Sequence, residues 1–513
     1  MLNGVSFHFN CTLSNSRSIT LRLMSYPARC CAKRNLSNIA RTSQLLQPSV
    51  LAGTATKPTK QDGVCKSQRM MMDYGLIAPA STGTIILLPL AMRALQKLVN
   101  IIDAEMKRIG GQKLSLPCLI PADLMKKTGR WDKMEQELLK LHDRRDHNYC
   151  LGPTHEETIS HMISTLPPML RSSYPLLLYQ IGTKFRDEAR PKFGLMRAKE
   201  FLMKDMYTFD ENDASAHGTY EKVCAAYDKI FRHLGVPYVK VQASTGAMGG
   251  SYSHEYHFVS DIGEDKLRLC SKCNRGVNAE EDNEDAEQTW KCTHCVGPFR
   301  HERGIEVGHA FSLGTAYSKP LKAECLGDDG KQRPLLMNCF GIGVTRLLAA
   351  CLELLSTADR LRWPAAIAPY TVAIVTPKKG SHEEAAVGNL AEHLSRHLNS
   401  LPRLLGDVVL DDRNSWTVGR RLRNLYNIGI PYVVVAGKKI KEDVPRFELH
   451  DVYSQTSVDF THSEVIGYFE MKKCTEDGPH FHDVKRSTVE SLQGSSLTMP
   501  DREKAIPLRR SMS

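Results

Sequence analysis

Residues 184–205, KFRDEARPKFGLMRAKEFLMKD, decide how this chain is read. The stretch opens on Lys184, Phe185 and Arg186, runs through a loop dense in Arg and Lys, and re-enters an apolar run at 199–209 with the spacing of a strand. The segment before it, 173–185, is rich in Tyr, Leu and Ile and also reads as extended. Two strands joined by a basic loop make a plausible grip for a polyphosphate. A guanidinium presents two parallel donors to phosphate oxygens, and Phe201 offers an apolar face on which a base can stack. A solvated hairpin with surface ion pairs, each worth little energy, fits the same residues.

Three further constellations lie around this one. In 152–157, GPTHEE, Thr154 and Glu156 point the same way if the segment is extended, and together could accept hydrogen bonds from an ammonium group. Thr154 and Glu157 also have the spacing of a helix capping box. In 339–346, CFGIGVTR, Gly341 and Gly343 sit where a strand turns into a helix, and allow close approach of a ligand to the backbone. Arg346 falls in the first helical turn, where a cation opposes the helix dipole, which suggests an anionic ligand; a tight structural turn is the alternative. Finally, Cys270-x2-Cys273 and Cys292-x2-Cys295 are separated by 18 residues, the spacing of a four-thiolate zinc site. The surrounding insertion is too hydrophilic to make its own core, so a metal would supply its folding energy. Such a site is closed and structural, not catalytic; a redox pair is the other reading.

The rest of the 513 residues suggests two to four domains. Periodicity predicts helices at 87–109, 132–141, 214–234 and 344–355, and strands at 149–151, 305–313 and 335–340. The insertion 270–303 carries an acidic run at 280–287. Composition shifts at 363–369. Strands at 370–376, 406–410 and 432–436 then alternate with helices at 383–398 and 418–428, the pattern of a small α/β domain with a mostly parallel sheet. The expected domains are a disordered leader at 1–60, 61–365 with the Cys-rich insertion at 268–303, 366–471, and a disordered tail at 472–513 rich in Ser, Lys, Arg and Pro.

Lys plus Arg is 68 and Asp plus Glu is 57, a net charge of +11. Eight of the basic residues, and no acidic one, fall in 1–61; with them set aside, 60 basic residues face 57 acidic ones. The basic character is thus an N-terminal property, and weak evidence for nucleic-acid binding by the folded part. A Ser- and Arg-rich, acid-free leader has the composition of a mitochondrial transit peptide and lacks the apolar core of a secretory signal. No apolar run approaches about 18 residues, so no ordinary membrane span is expected. The 15 scattered cysteines do not look like a secreted disulfide framework.

Together the motifs resemble those of the class II aminoacyl-tRNA synthetases, most closely the prolyl-tRNA synthetases of the bacterial and mitochondrial type. GPTHEE at 152–157, the 184–205 stretch, GGSYSHE at 249–255, GIEVGH at 304–309 and GIGVTR at 341–346 carry the resemblance, which spans about 71–470. It implies an α+β fold: an antiparallel sheet flanked by helices as the catalytic domain, then a small α/β anticodon-binding domain. It implies that L-proline is activated with ATP and Mg2+ and transferred to the 3′ end of tRNA(Pro), in the mitochondrial matrix.

The resemblance also implies residue roles. Thr154 and Glu156 would hold the proline amino group, with His309 and Phe311 beside them. Arg186 would grip the α-phosphate and the substrate carboxylate. Glu188, Arg197, Phe201, Glu306, Gly341, Gly343 and Arg346 would form the ATP site, with Arg346 over the γ-phosphate. Residues 114–117 look like the motif that forms a homodimer interface. Asp411, Asp412, Arg413, Arg420, Arg421 and Arg423 lie in the domain that reads anticodon bases. Bacterial relatives carry a large editing domain where this chain has only its cysteine insertion, so no clearing of alanyl-tRNA is expected. A synthetase-like RNA-binding protein without catalysis is the competing reading; the presence of Arg186, Arg197 and Arg346 speaks for the enzyme.

Overall fold

The segments flanking the basic loop form the expected pair. Leu176–Phe185 and Glu200–Asp210 run antiparallel, with Lys184 opposite Phe201 and Leu178 opposite Tyr207. The computed structural model describes residues 39–47 and 65–472, apart from 168, 170, 274, 280–291, 293, 328 and 329. The chain divides into two compact units, 1–38 and 39–513, of which the first lies outside the described residues, as do the acidic run at 280–287 and the tail from 473.

The central pair belongs to a nine-stranded sheet. Its order is Tyr252–Val259, Val239–Ala243, Gly276–Asn278, Asp265–Cys270, Phe299–Gly314, Leu336–Gly343, Glu200–Asp210, Leu176–Phe185 and Gln112–Lys113. Most neighbours are antiparallel. The exceptions are Gly276–Asn278 against Val239–Ala243 and the edge strand Gln112–Lys113. Tyr252–Val259 also pairs with Phe299–Gly314, so the first five strands close on one another.

Helices Pro89–Arg108, Asp213–Leu234 and Val344–Leu355 share one large core with the sheet through Leu98, Ile102, Tyr227, Phe231 and Leu347. Their ends follow from local chemistry. Proline occupies the first turn of one, and Asn212 accepts a hydrogen bond from the Ser215 amide at the start of another.

The second sheet orders Ala40–Arg41, Val408–Asp411, Val372–Val375, Tyr432–Val435, Arg446–Asp451 and Thr456–Thr461. The first four strands are parallel and the last two antiparallel. The alternating strands and helices of this domain are where the sequence places them, but the closing hairpin and the helix His462–Met471 were not anticipated.

Three expectations need correction. The 132–141 stretch is not a helix: only Arg130–Lys133 is helical, and Lys140–His142 pairs as a strand. The 383–398 helix is two helices, His382–Val387 and Leu390–Ser400, broken where Gly388 turns to φ 44°. The cysteine insertion, expected within the 61–365 domain, contributes the strand Gly276–Asn278 to the main sheet, and Val239, Val241, Leu267 and Leu269 pack together there. Residues 39–47, expected to be part of an unstructured leader, instead line the sheet edge. Thr42 Oγ1 donates to Asp411 at 2.8 Å, Ser43 to Asp412 at 2.8 Å, and Arg41 pairs with Glu392 at 2.6 Å. An open strand edge fringed with carboxylates suits an acid-free basic segment, which covers it.

Candidate active site

A cavity of about 330 Å3 opens over the central strands, and most of the sequence-predicted residues line it. Arg186 leaves the end of Leu176–Phe185 with its guanidinium 5.4 Å from the Phe201 ring centre. Its Nε is buried and has no hydrogen-bond partner. Burial, and then the nearby Arg346 charge, lower its pKa from the ordinary value. Arg346, the third residue of helix Val344–Leu355, donates from Nε to the Met196 carbonyl at 2.8 Å and from Nη1 to the Glu306 carbonyl at 3.2 Å. Two cations held close enough to oppose one another, one with an unused buried donor, make a receptor for an anion.

Glu306 sits beside them. Burial would raise its carboxyl, but His309 and Arg346 outweigh that and hold it far below the usual carboxylate range. His309 Nδ1 lies 3.1 Å from Glu306 and 3.6 Å from Glu255. Its ring stacks on Phe311, 3.8 Å between centres and 19° from parallel. Gly341 pairs with His309 across the strands, and a side chain at Gly341 would reach Met203 at 3.7 Å.

The geometry around Thr154 and Glu156 excludes the capping box. His155, not Thr154, precedes helix Glu156–Thr165, and no side chain caps that helix. Thr154 Oγ1 instead donates to Glu156 Oε2 at 2.6 Å. Both line the cavity, with the Tyr207 hydroxyl binding the His155 amide at 2.9 Å. Behind them Arg130 donates to Glu156 at 3.0 Å and to Glu157 at 3.1 Å, all three almost fully buried. Burial raises the Glu157 carboxyl and Arg130 pulls it back.

Arg197 is the exception among the predicted residues. It pairs with Glu188 and Glu264, both at 2.7 Å, and does not line the cavity, whereas Glu188 does. In the other domain Asp411 is buried, accepts from Thr42 and pairs with Arg413 at 2.7 Å, so it is already engaged and not free to read a base. Arg421 is buried against Thr376 and the Asp411 carbonyl. Arg420 and Arg423 are exposed, and Arg420 lies 3.9 Å over the Trp416 ring.

Sequence reading missed Arg130, Tyr207 and Glu255. Arg130 and Tyr207 sit in no motif, and the GGSYSHE stretch named Glu255 without giving it a role. Chemically, the site offers a carboxylate–hydroxyl pair for an ammonium group and converging guanidiniums for anions.

The four cysteines also meet. Cys270 and Cys295 sulfurs are 3.3 Å apart, Cys273 and Cys292 3.6 Å, and all four lie within 4.8 Å of one another. A tetrahedral zinc with Zn–S bonds of about 2.3 Å places its sulfurs roughly 3.8 Å apart, so the cluster fits that ion.

Residues 138–354 match the family described as tRNA synthetase class II core domain (G, H, P, S and T). The chain is 47% identical over 417 residues to a human protein named probable mitochondrial proline–tRNA ligase, covering 81% of this chain and 86% of that one. It is 35% identical to the proline–tRNA ligase of Agrobacterium fabrum, covering 75% and 90%. Among solved structures it is similar to a Giardia lamblia prolyl-tRNA synthetase in complex with prolyl-adenylate. There the TM-score is 0.66 and the identity 18%, over 78% of this chain and 75% of that one.

Proposed function

The chain belongs to the proline–tRNA ligase family of class II aminoacyl-tRNA synthetases, and from that premise we propose that it activates L-proline with ATP and charges tRNA(Pro). The observation that carries the reading is the pair Arg186 and Arg346, with the unpartnered buried Nε of Arg186 in the same cavity as Thr154 and Glu156. Glu156, kept in place by Thr154 and Arg130, meets the prolinium amine; His309 and Phe311 wall the ring. Arg186 draws the proline carboxylate and the α-phosphate together. Phe201 stacks on adenine with Glu188 at its edge, and Arg346 takes the terminal phosphate. Arg197 reaches the phosphates only by exchanging its ion pairs with Glu188 and Glu264.

A carboxylate oxygen attacks the α-phosphorus, a P–O bond forms to proline, and pyrophosphate leaves with the bond electrons. No general base is needed, because the nucleophile is already an anion. Positioning and charge neutralisation by the two arginines supply the acceleration. The 3′-terminal hydroxyl of tRNA then attacks the carbonyl of the adenylate, AMP leaves, and the hydroxyl proton passes to phosphate or solvent.

Glu306 and Glu255 would offer hard oxygens to Mg2+, which would supply neutralisation of phosphate charge. Cys270, Cys273, Cys292 and Cys295 would hold one zinc ion. The matrix is the proposed compartment, supported by relatives named mitochondrial; among the described residues no helix is long and apolar enough to cross a membrane. A homodimer is proposed through the 114–117 region; exposed Ile86 lies in the strand Thr84–Leu87 and exposed Met92 in the first turn of the helix Pro89–Arg108 leading to it. The test is ATP–pyrophosphate exchange by the full chain with each of the twenty amino acids. Exchange with proline alone is expected; exchange with a different amino acid, or none from folded protein, would refute the reading.

A further inference from the structure

We propose that zinc in the four-cysteine cluster acts as a remote positioning element for the proline end of the active site, through strand Gly276–Asn278 and the side chain of Asn278. This rests on the proline-activation reading above.

The path is continuous. Cys270 ends strand Asp265–Cys270, Cys273 precedes Gly276–Asn278, and Cys292 and Cys295 lead into Phe299–Gly314. An ion bound by all four sulfurs therefore ties three neighbouring strands at one end. Gly276–Asn278 is the stave that closes the five-strand ring: it pairs parallel with Val239–Ala243 through Val241 and Gln242, and antiparallel with Asp265–Cys270. It fits there only without a side chain at its first position. A Cβ on Gly276 would sit 2.5 Å from Leu269 and 2.6 Å from the Arg268 carbonyl. With only three residues, this strand has little of its own to hold its register.

Its last residue touches the site. Asn278 Nδ2 donates to Glu255 Oε2 at 2.9 Å, and His257 Nε2 lies 2.8 Å from the same oxygen. The other oxygen, Oε1, faces His309 Nδ1 at 3.6 Å. Glu255 and His309 both line the cavity. The insertion thus reaches the ring of His309 through one amide and one carboxylate. The sulfurs are set for a metal: all four lie within 4.8 Å of one another, and the Lys272 amide directs its N–H at the Cys270 sulfur. Asn278 is a positioning residue, since it acts through Glu255.

The experiment uses the full chain. Elemental analysis is expected to find about one zinc per chain, and cobalt exchanged into the site is expected to show thiolate-to-metal absorption, a signal independent of catalysis. Asn278→Ala is expected to keep zinc and to raise the proline KM about tenfold, the scale of a lost hydrogen bond to a charged group, while the ATP KM stays within about twofold. Asn278→Asp, nearly the same shape, sets a carboxylate against Glu255 and is expected to be worse than Ala; a purely packing role predicts the reverse order. Cys273→Ser and chelation are expected to lower zinc and raise the proline KM together. Zinc-free protein with full activity, or an Asn278→Ala enzyme with an unchanged proline KM, would overturn the proposal. Absence of proline exchange in the unaltered chain would refute the functional reading instead, with the zinc and cobalt signals still read separately.

Discussion

Replacing Arg130 by Met removes the guanidinium that holds Glu156 and Glu157 while filling much of its space. The side chains of Arg130 and Glu156 are each 2% exposed and that of Glu157 0%, so two carboxylates would be left buried without a cation. Breaking a buried pair from one side costs about 3–5 kcal/mol. Part of that is relieved when Glu157, already raised by burial, takes up a proton, which puts the loss near the lower end, about 3 kcal/mol. At about 2–4 °C per kcal/mol for a domain of this size, the unfolding midpoint should fall by roughly 6–12 °C. Glu156 also loses the donor that orients it, so the proline KM should rise about ten- to a hundredfold, the effect of one to two lost charge-assisted hydrogen bonds. The ATP KM should move much less. Thermal unfolding followed by circular dichroism, with exchange assays titrating each substrate in turn, reads both. Arg130→Lys keeps the charge but not the fork, and should fall between. A Met variant with the original midpoint and proline KM, or with proline and ATP KM raised equally, would refute the reasoning.

Arg346→Ala should lower kcat/KM for exchange about 100- to 1000-fold, the usual effect of removing one donor to developing charge, with little change in unfolding temperature because the side chain is part-exposed. Lys204 is buried, bonded to the Tyr227 hydroxyl, and pushed down to about 7 by burial. Between that value and its ordinary 10.5 the unfolded chain binds a proton the native one lacks, so this group makes stability rise with pH; urea midpoints at pH 7.5 and 9.5 should converge in Lys204→Met relative to the parent. Thr42→Val removes a buried hydrogen bond to Asp411 and should cost about 1–2 kcal/mol, seen as faster amide exchange along Val408–Asp411. The purified protein should leave alanyl-tRNA uncleared; measurable deacylation would contradict the expectation drawn from its short insertion.

Periodicity placed helix Val344–Leu355 at its observed bounds and came within a few residues for Pro89–Arg108 and Asp213–Leu234. It placed most strands nearly as well, because burying one face imposes a repeat that one segment carries by itself. The basic loop after Arg186, the Thr154–Glu156 pair and the cysteine spacing were legible for the same reason: each is a local arrangement of chemistry. The 132–141 stretch misled because a polar, charged run has no apolar repeat to distinguish helix from strand, and pairing with Asn148–Leu151 decided it.

What the sequence by itself determined was therefore which residue types stand at each face and turn, and which motifs could meet a phosphate or an ammonium. Only the tertiary structure decided the partners. It set Arg130 against Glu156 across 26 positions, Asn278 against Glu255 across 23, and Thr42 against Asp411 across 369. It also paired Arg197 with Glu188 and Glu264 and left it off the cavity wall. A buried or edge polar group must find a partner somewhere, but which one it finds depends on which segments the folded chain brings within about 3 Å, and no local pattern records that distance.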